Sequence, residues 1–136
     1  MSYAIAGPLQ AAVFDRLGAD AALNALVAGA IFDAVPPGVA PSLYVVLGPE
    51  KVQDRSDQTG RAAEHEFTVS VITDVAGFAS AKAAAGAVSD ALDGADLTLT
   101  RGALVFCHFL RAQAARVGAG GERQVDLIFR ARVEDD

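Results

Sequence analysis

The chain has 136 residues, 52% of them hydrophobic, with a formal net charge of −6 and a pI near 4.7. That length suits one domain with one core, and the apolar content is too high for a disordered chain. The acidity excludes a dedicated nucleic-acid reader, because such binding draws its free energy from Lys and Arg displacing counterions; letting DNA pass without holding it is compatible with acidity.

Residues 7–17 read as a helix: Pro8 suits a first turn, and Leu9, Val13, Phe14 and Leu17 fall on one face. Gly18 is the expected stop. Asp20 then caps a second short helix carrying Leu23, Leu26 and Val27 and ending near Gly29. A short strand is expected within 30–35, before Pro36, Pro37, Gly38 and Pro41 break regular structure. Residues 43–47 are apolar on both sides, as in a strand buried on both faces.

The polar stretch 48–63, with Val52 as its only large apolar residue, reads as a long exposed hairpin connection. Residues 64–73 alternate, with Phe67, Val69 and Val71 opposite Glu66, Thr68 and Ser70. The strongest helix signal covers 80–92, where Ala81, Ala84, Ala85, Val88 and Leu92 form a narrow stripe suited to close packing, with Phe78 stapling the start and Gly94 ending it. A short strand at 97–100, a turn at Arg101–Gly102, a long strand at 103–115 and a glycine loop at 118–122 follow. In the final strand, 124–134, Val125, Leu127, Phe129, Ala131 and Val133 face in; Gln124, Asp126, Arg130, Arg132 and Glu134 face out, with Ile128 as the exception. The expected fold is a single α+β domain over 1–136, an antiparallel β-sheet with helices packed on one face.

Cys107 is the one cysteine, so no intrachain disulfide can form and a reducing compartment fits. No signal peptide is expected from residues 1–9, and the longest apolar run, 25–32, is too short to span a bilayer, so a soluble protein is expected.

No catalytic, cofactor or metal site is expected. Cys107 and His108 are neighbours in a strand and point to opposite faces, so they form no dyad; Cys107 reads as core and His108 as a surface or partner-facing residue. Glu64 and Glu66 point away from His65, and two histidines with one cysteine make a poor zinc set. Gly118, Gly120 and Gly121 precede a strand, without the helix a phosphate loop needs, and Thr59-Gly60-Arg61 lacks the P-loop context. Glu134, Asp135 and Asp136 read as a solvated acidic end. The outward face with Asp126, Arg130 and Arg132 is either a solvated sheet face or a subunit interface where charges set register. The 49–64 stretch, with Asp54, Arg55, Asp57 and Arg61, raises the same alternative, since a partner could offset the entropy of ordering it.

Several segments, in order and spacing, resemble the phage-encoded DUF3168 family of tail terminator or tail completion proteins. They are the opening helix 9–17, Ile31-Phe32-Asp33-Ala34-Val35-Pro36 and Tyr44-Val45-Val46-Leu47-Gly48. Thr59-Gly60-Arg61 follows, then Glu64-His65-Glu66-Phe67, the alanine-rich helix with Lys82, residues 97–99, and Leu127-Ile128-Phe129-Arg130-Ala131. The acidic, alanine-rich character is most similar to tail terminators of alphaproteobacterial gene transfer agents.

The resemblance implies a hexameric ring, built without catalytic residues or cofactor, that ends the tail tube at its head-proximal end. It implies partners in the tube protein and the head–tail connector, with DNA passing through the lumen. It places the protein in the virion after assembly in the host cytoplasm, with no membrane involved. Sheet edges and the 49–64 stretch are expected to form head-to-tail contacts, with Asp54, Arg55, Asp57, Arg61, Arg130 and Arg132 as interface residues and Asp54 and Asp57 as lumen candidates. The alternatives are another head–tail connector or minor tail protein, or a small oligomeric α+β enzyme or ligand-binding protein with a pocket at a subunit interface.

Overall fold

The computed structural model describes residues 3–34, 38–118 and 120–135. After one 3-10 turn over Tyr3–Ile5, α1 spans Ala6–Ala19 and buries Leu9, Val13 and Leu17, a stripe spaced one turn apart. The helix runs through Gly18 and stops at Asp20, whose carboxylate accepts the Leu23 N–H at 2.9 Å and so starts α2, Ala21–Val27. Gly18 is not needed as the stop because Asn24 supplies the missing donors. Its side-chain amide reaches the carbonyls of Leu17 (3.1 Å), Gly18 (3.1 Å) and Asp20 (2.8 Å). Leu26, expected on the buried stripe of α2, is 45% exposed.

Strand β1, Ile31–Phe32, pairs in parallel with Val45 and Val46 of β2, which spans Leu43–Asp54. The predicted end of β1 at Val35 and the breakers Pro36 and Pro37 lie outside the described residues. Strand β3 spans Arg61–Thr73 and pairs antiparallel with β2 from Leu43↔Thr73 to Asp54↔Ala63, with a bulge between Leu47 and Glu50. Residues 48–63 are therefore mostly ladder, and the connection shrinks to 55–60. The outer half of this hairpin, beyond the bulge, buries few large side chains, so its sequence has little apolar alternation to announce a strand that the backbone bonds nonetheless hold.

Helix α3 spans Ala79–Leu92 and buries Ala81, Ala84, Ala85, Val88, Ala91 and Leu92. Residues 97–100, expected to be a strand, are irregular, though Leu97 is buried. The edge they would join is already in use: the Cys107 carbonyl accepts the Gly94 N–H at 2.7 Å and the Phe109 N–H donates to Asp93 at 2.9 Å. Strands β4, Ala103–Val117, and β5, Glu122–Asp135, close the chain as a hairpin turning at Gly118 and Gly121, with Ala119 outside the described residues.

The sheet order is β1-β2-β3-β5-β4, with the four long strands antiparallel, and the α+β class is as expected. The helices cover the face carrying Val45, Val69, Val71, Val125, Leu127, Phe129, Ala131 and Val133, all buried in one core. Phe129 anchors it, stacked on Phe67 at 5.5 Å and edge-on to Phe109 at 6.0 Å. The opposite face holds Glu64, Glu66, Thr68, Ser70 and Ile72 of β3 against Arg132, Arg130, Ile128, Asp126 and Gln124 of β5.

Candidate functional site

The uncovered sheet face and the β2–β3 turn gather most of the charge expected to matter. The turn is built by its two aspartates. Asp54 accepts the Ser56 N–H at 3.2 Å and hydroxyl at 2.6 Å. Asp57 accepts the Thr59 N–H (2.8 Å), the Thr59 hydroxyl (2.8 Å) and the Gly60 N–H (2.9 Å). Bonds to the ionised form hold both carboxyls below the ordinary aspartate value, led by the Ser56 hydroxyl for Asp54 and the Thr59 hydroxyl for Asp57. Both aspartates are thus turn formers as well as surface charges.

The arginines meet at Glu64. Its carboxylate lies 3.8 Å from Arg55 and 3.9 Å from Arg130. Arg55 also donates to the Gln53 side chain at 2.7 Å, and Arg132 reaches the Arg55 carbonyl at 3.4 Å. Arg111 of β4 faces Glu66 at 3.8 Å. Lower on the same face Asp126 accepts from Ser70 at 2.6 Å and Gln124 at 2.8 Å. Arg61 sits apart, opposite Asp135 in register, beside a shallow cleft of about 600 Å³ bounded by the turn and Glu134.

Of the six predicted interface residues, Arg55, Arg130 and Arg132 converge, Asp54 and Asp57 form the adjoining turn, and Arg61 lies beyond it. Glu64 and Glu66, the acids that organise the patch, were legible only as outward-facing charges. Their partners come from strand register, which single-strand patterns do not carry.

The nucleophilic and imidazole side chains do not converge. Cys107 is fully buried, and its thiol is pushed up to about 12, by burial first and by the Asp93 charge second, so it is no nucleophile near neutral pH. His108 takes the opposite face, stacked on Phe106 at 5.0 Å. His65 is buried with its Nδ1 3.4 Å from Glu50, a partner 15 residues away that its neighbours Glu64 and Glu66 gave no hint of. The acidic end is not wholly solvated: Asp135 is buried and grips Arg101 through two bonds, at 3.2 and 2.8 Å. Asp136 lies outside the described residues. Among the described residues no three His, Cys, Asp or Glu side chains cluster for a metal, and no helix is long and apolar enough to cross a membrane.

A family model described as "Tail completion protein gp17" matches residues 11–134. Among solved structures, a chain of the "Virion of native gene transfer agent (GTA) particle" is 64% identical. The alignment covers 98% of this chain and 99% of that one, with a TM-score of 0.93. Curated proteins supply no match.

Proposed function

The chain belongs to the tail completion protein gp17 family and is a structural tail protein, and we propose that it works as a tail terminator of a gene transfer agent or phage-like particle. In this reading copies close into a hexameric ring at the head-proximal end of the tail tube. One ring face ends growth of the tube and the other receives the head connector. The observation that carries it is the 64% identity, over nearly the full length of both chains, to a component of a gene transfer agent virion.

The chemistry of the surface supports the same reading. Copies related head-to-tail must close, or they would polymerise without end. Each copy brings a net charge of −6, so a ring of them repels phosphate and lets DNA pass without trapping it. The patch of Arg55, Arg130 and Arg132 around Glu64, with Asp54, Asp57 and Arg61 beside it, is the proposed contact with neighbouring proteins. Exposed ion pairs of this kind set partner and register more than affinity. No bond is made or broken in this function, and no cofactor takes part.

Electron microscopy of particles carrying a label fused to this chain tests the assignment. Label as a band where tail meets head is expected, and deletion of the gene is expected to give headless tails of uncontrolled length. Label elsewhere on the particle would instead make the chain a different connector or a minor tail component.

A further inference from the structure

The two lateral edges of the sheet differ in charge and in what covers them. At one edge, β4 uses its outer backbone groups only at Cys107 and Phe109; among the described residues nothing pairs with that edge over 110–117. This stretch carries no acid but has Arg116 and a largely exposed Arg111, which also faces Glu66 of its own chain at 3.8 Å, with the small residues Ala112, Ala114 and Ala115 between the two arginines. Ala112, Gln113 and Ala114 are exposed, so the strand has solvent on both faces. Its bulges fall at Val105 and Leu110, which leaves 111–117 in regular register with β5, without a bulge or proline, and with the two arginines as the features that discourage like edges from pairing.

At the other edge, β1 covers β2 only at Val45 and Val46. Beyond it, α1 and β2 enclose an open cleft of about 490 Å³, walled by Tyr3, Gln10, Phe14, Asp15, Asp33 and Glu50. Three carboxylates line this cleft and no basic residue does. Tyr3 donates to Glu50, and Gln10 donates to Asp33 at 2.7 Å, which orients two of the three. Tyr3 and Phe14 are among the exposed large hydrophobics, so the cleft also offers apolar surface.

We infer that the 110–117 edge of β4 in one copy docks in the acidic α1–β2 cleft of the next copy, as the head-to-tail contact of the assembly. The inference rests on the ring reading above and names the contact that closes it. Charge selects this pairing. Edge against edge would oppose two arginines with two, and cleft against cleft would oppose three carboxylates with three. Edge against cleft alone brings opposite signs together, and that pairing is heterologous, so it propagates around an axis instead of stopping at a two-fold dimer. The alanines on the edge let its backbone approach closely, as strand addition requires.

Purified particles carrying Ala11→Cys, in the lining of the cleft, and Ala114→Cys, on the β4 edge, in one chain test the contact. Oxidation is expected to give a disulfide ladder of oligomers on a non-reducing gel, while either single variant gives none, because a disulfide needs the two Cα atoms within about 7 Å. In a second arm, Arg111→Glu with Arg116→Glu is expected to lower the yield of glutaraldehyde-crosslinked oligomers about tenfold, and adding Asp15→Arg with Asp33→Arg, which supplies no new amine to the crosslinker, to restore it. A glutaraldehyde ladder that persists in the doubly reversed arginine variant, with no disulfide ladder from the cysteine pair, overturns this contact and leaves the ring standing. Absence of a ring of this chain at the head–tail junction in electron microscopy of wild-type particles overturns the ring itself.

Discussion

The backbone carbonyl of Glu134 occupies the space that a side chain at residue 102 would need. A Cβ built on Gly102 falls 2.5 Å from that oxygen and 2.8 Å from Cδ1 of Ile5, at a φ of +73°. The turn into β4 therefore closes against the end of β5 only with glycine. Gly102→Ala is expected to cost about 2–4 kcal/mol, from left-handed strain plus displacement of packed backbone. Gly94→Ala, at φ +71° with nothing near its Cβ, is expected to cost only about 1 kcal/mol. Urea unfolding midpoints of the two variants check the ranking, and equal midpoints would contradict it.

Ala28 is the one described non-glycine residue with positive φ, at 53°, where α2 ends. Ala28→Gly relieves that strain against a smaller loss from a freer unfolded chain, for a net gain of about 0.5–1 kcal/mol. Asn24→Ala removes the amide that serves three carbonyls at the α1–α2 joint and is expected to cost about 1–2 kcal/mol. Thermal unfolding should move upward for the first variant and downward for the second.

The β2–β3 turn is expected to respond to acid. The carboxyls of Asp54 and Asp57 are held below their ordinary value of 3.8, so the folded state binds fewer protons than the unfolded one in that range. Their contribution is present above pH 3.8 and is lost as pH falls through the lower folded values. Protection of the Thr59 and Gly60 amides, measured against their intrinsic exchange rates, is expected to fall on acidification below that point, and Asp57→Ala to remove that protection already at neutral pH. Protection of both amides unchanged in Asp57→Ala would refute the role of this carboxylate.

Cys107 titrates in the opposite sense. Its thiol stays protonated up to about 12 in the fold, against 9.0 for the free group. Unfolding therefore releases a proton above pH 9.0, and stability falls as pH rises from there toward 12. A thiol reagent at neutral pH is expected to leave the native protein unmodified and to label it only after denaturant; rapid native labelling would show the site to be open.

Arg55→Ala with Arg61→Ala tests the charged turn in its proposed role. Both side chains are exposed, so stability is expected to change by less than about 1 kcal/mol. Particles should lose head attachment or tail-length control. Normal tails with attached heads would remove the turn from the proposed interface.

The alternation of Phe67, Val69 and Val71, the inward set from Val125 to Val133 and the alanine stripe of α3 were readable directly from spacing. In each case one face is more deeply buried than the other and carries the large apolar or alanine side chains, and that contrast is what a sequence records. The α+β class followed from those elements alone. The outer half of the β2–β3 hairpin was invisible because Lys51, Gln53 and Asp54 have little core to face. Residues 97–100 misled in the other direction, since Leu97 is buried without being in a strand.

Residue types and spacing determined the helices, the core strands and the absence of a Cys107–His108 dyad, all consequences of local geometry and hydrophobic periodicity. The tertiary structure alone decided that Glu64 would hold Arg55 and Arg130, that Glu50 would meet His65, and that a basic strand edge and an acidic cleft would lie on opposite sides of one sheet. Those relationships depend on register and strand order, which are set by packing across the whole chain and leave no periodic trace in any single segment.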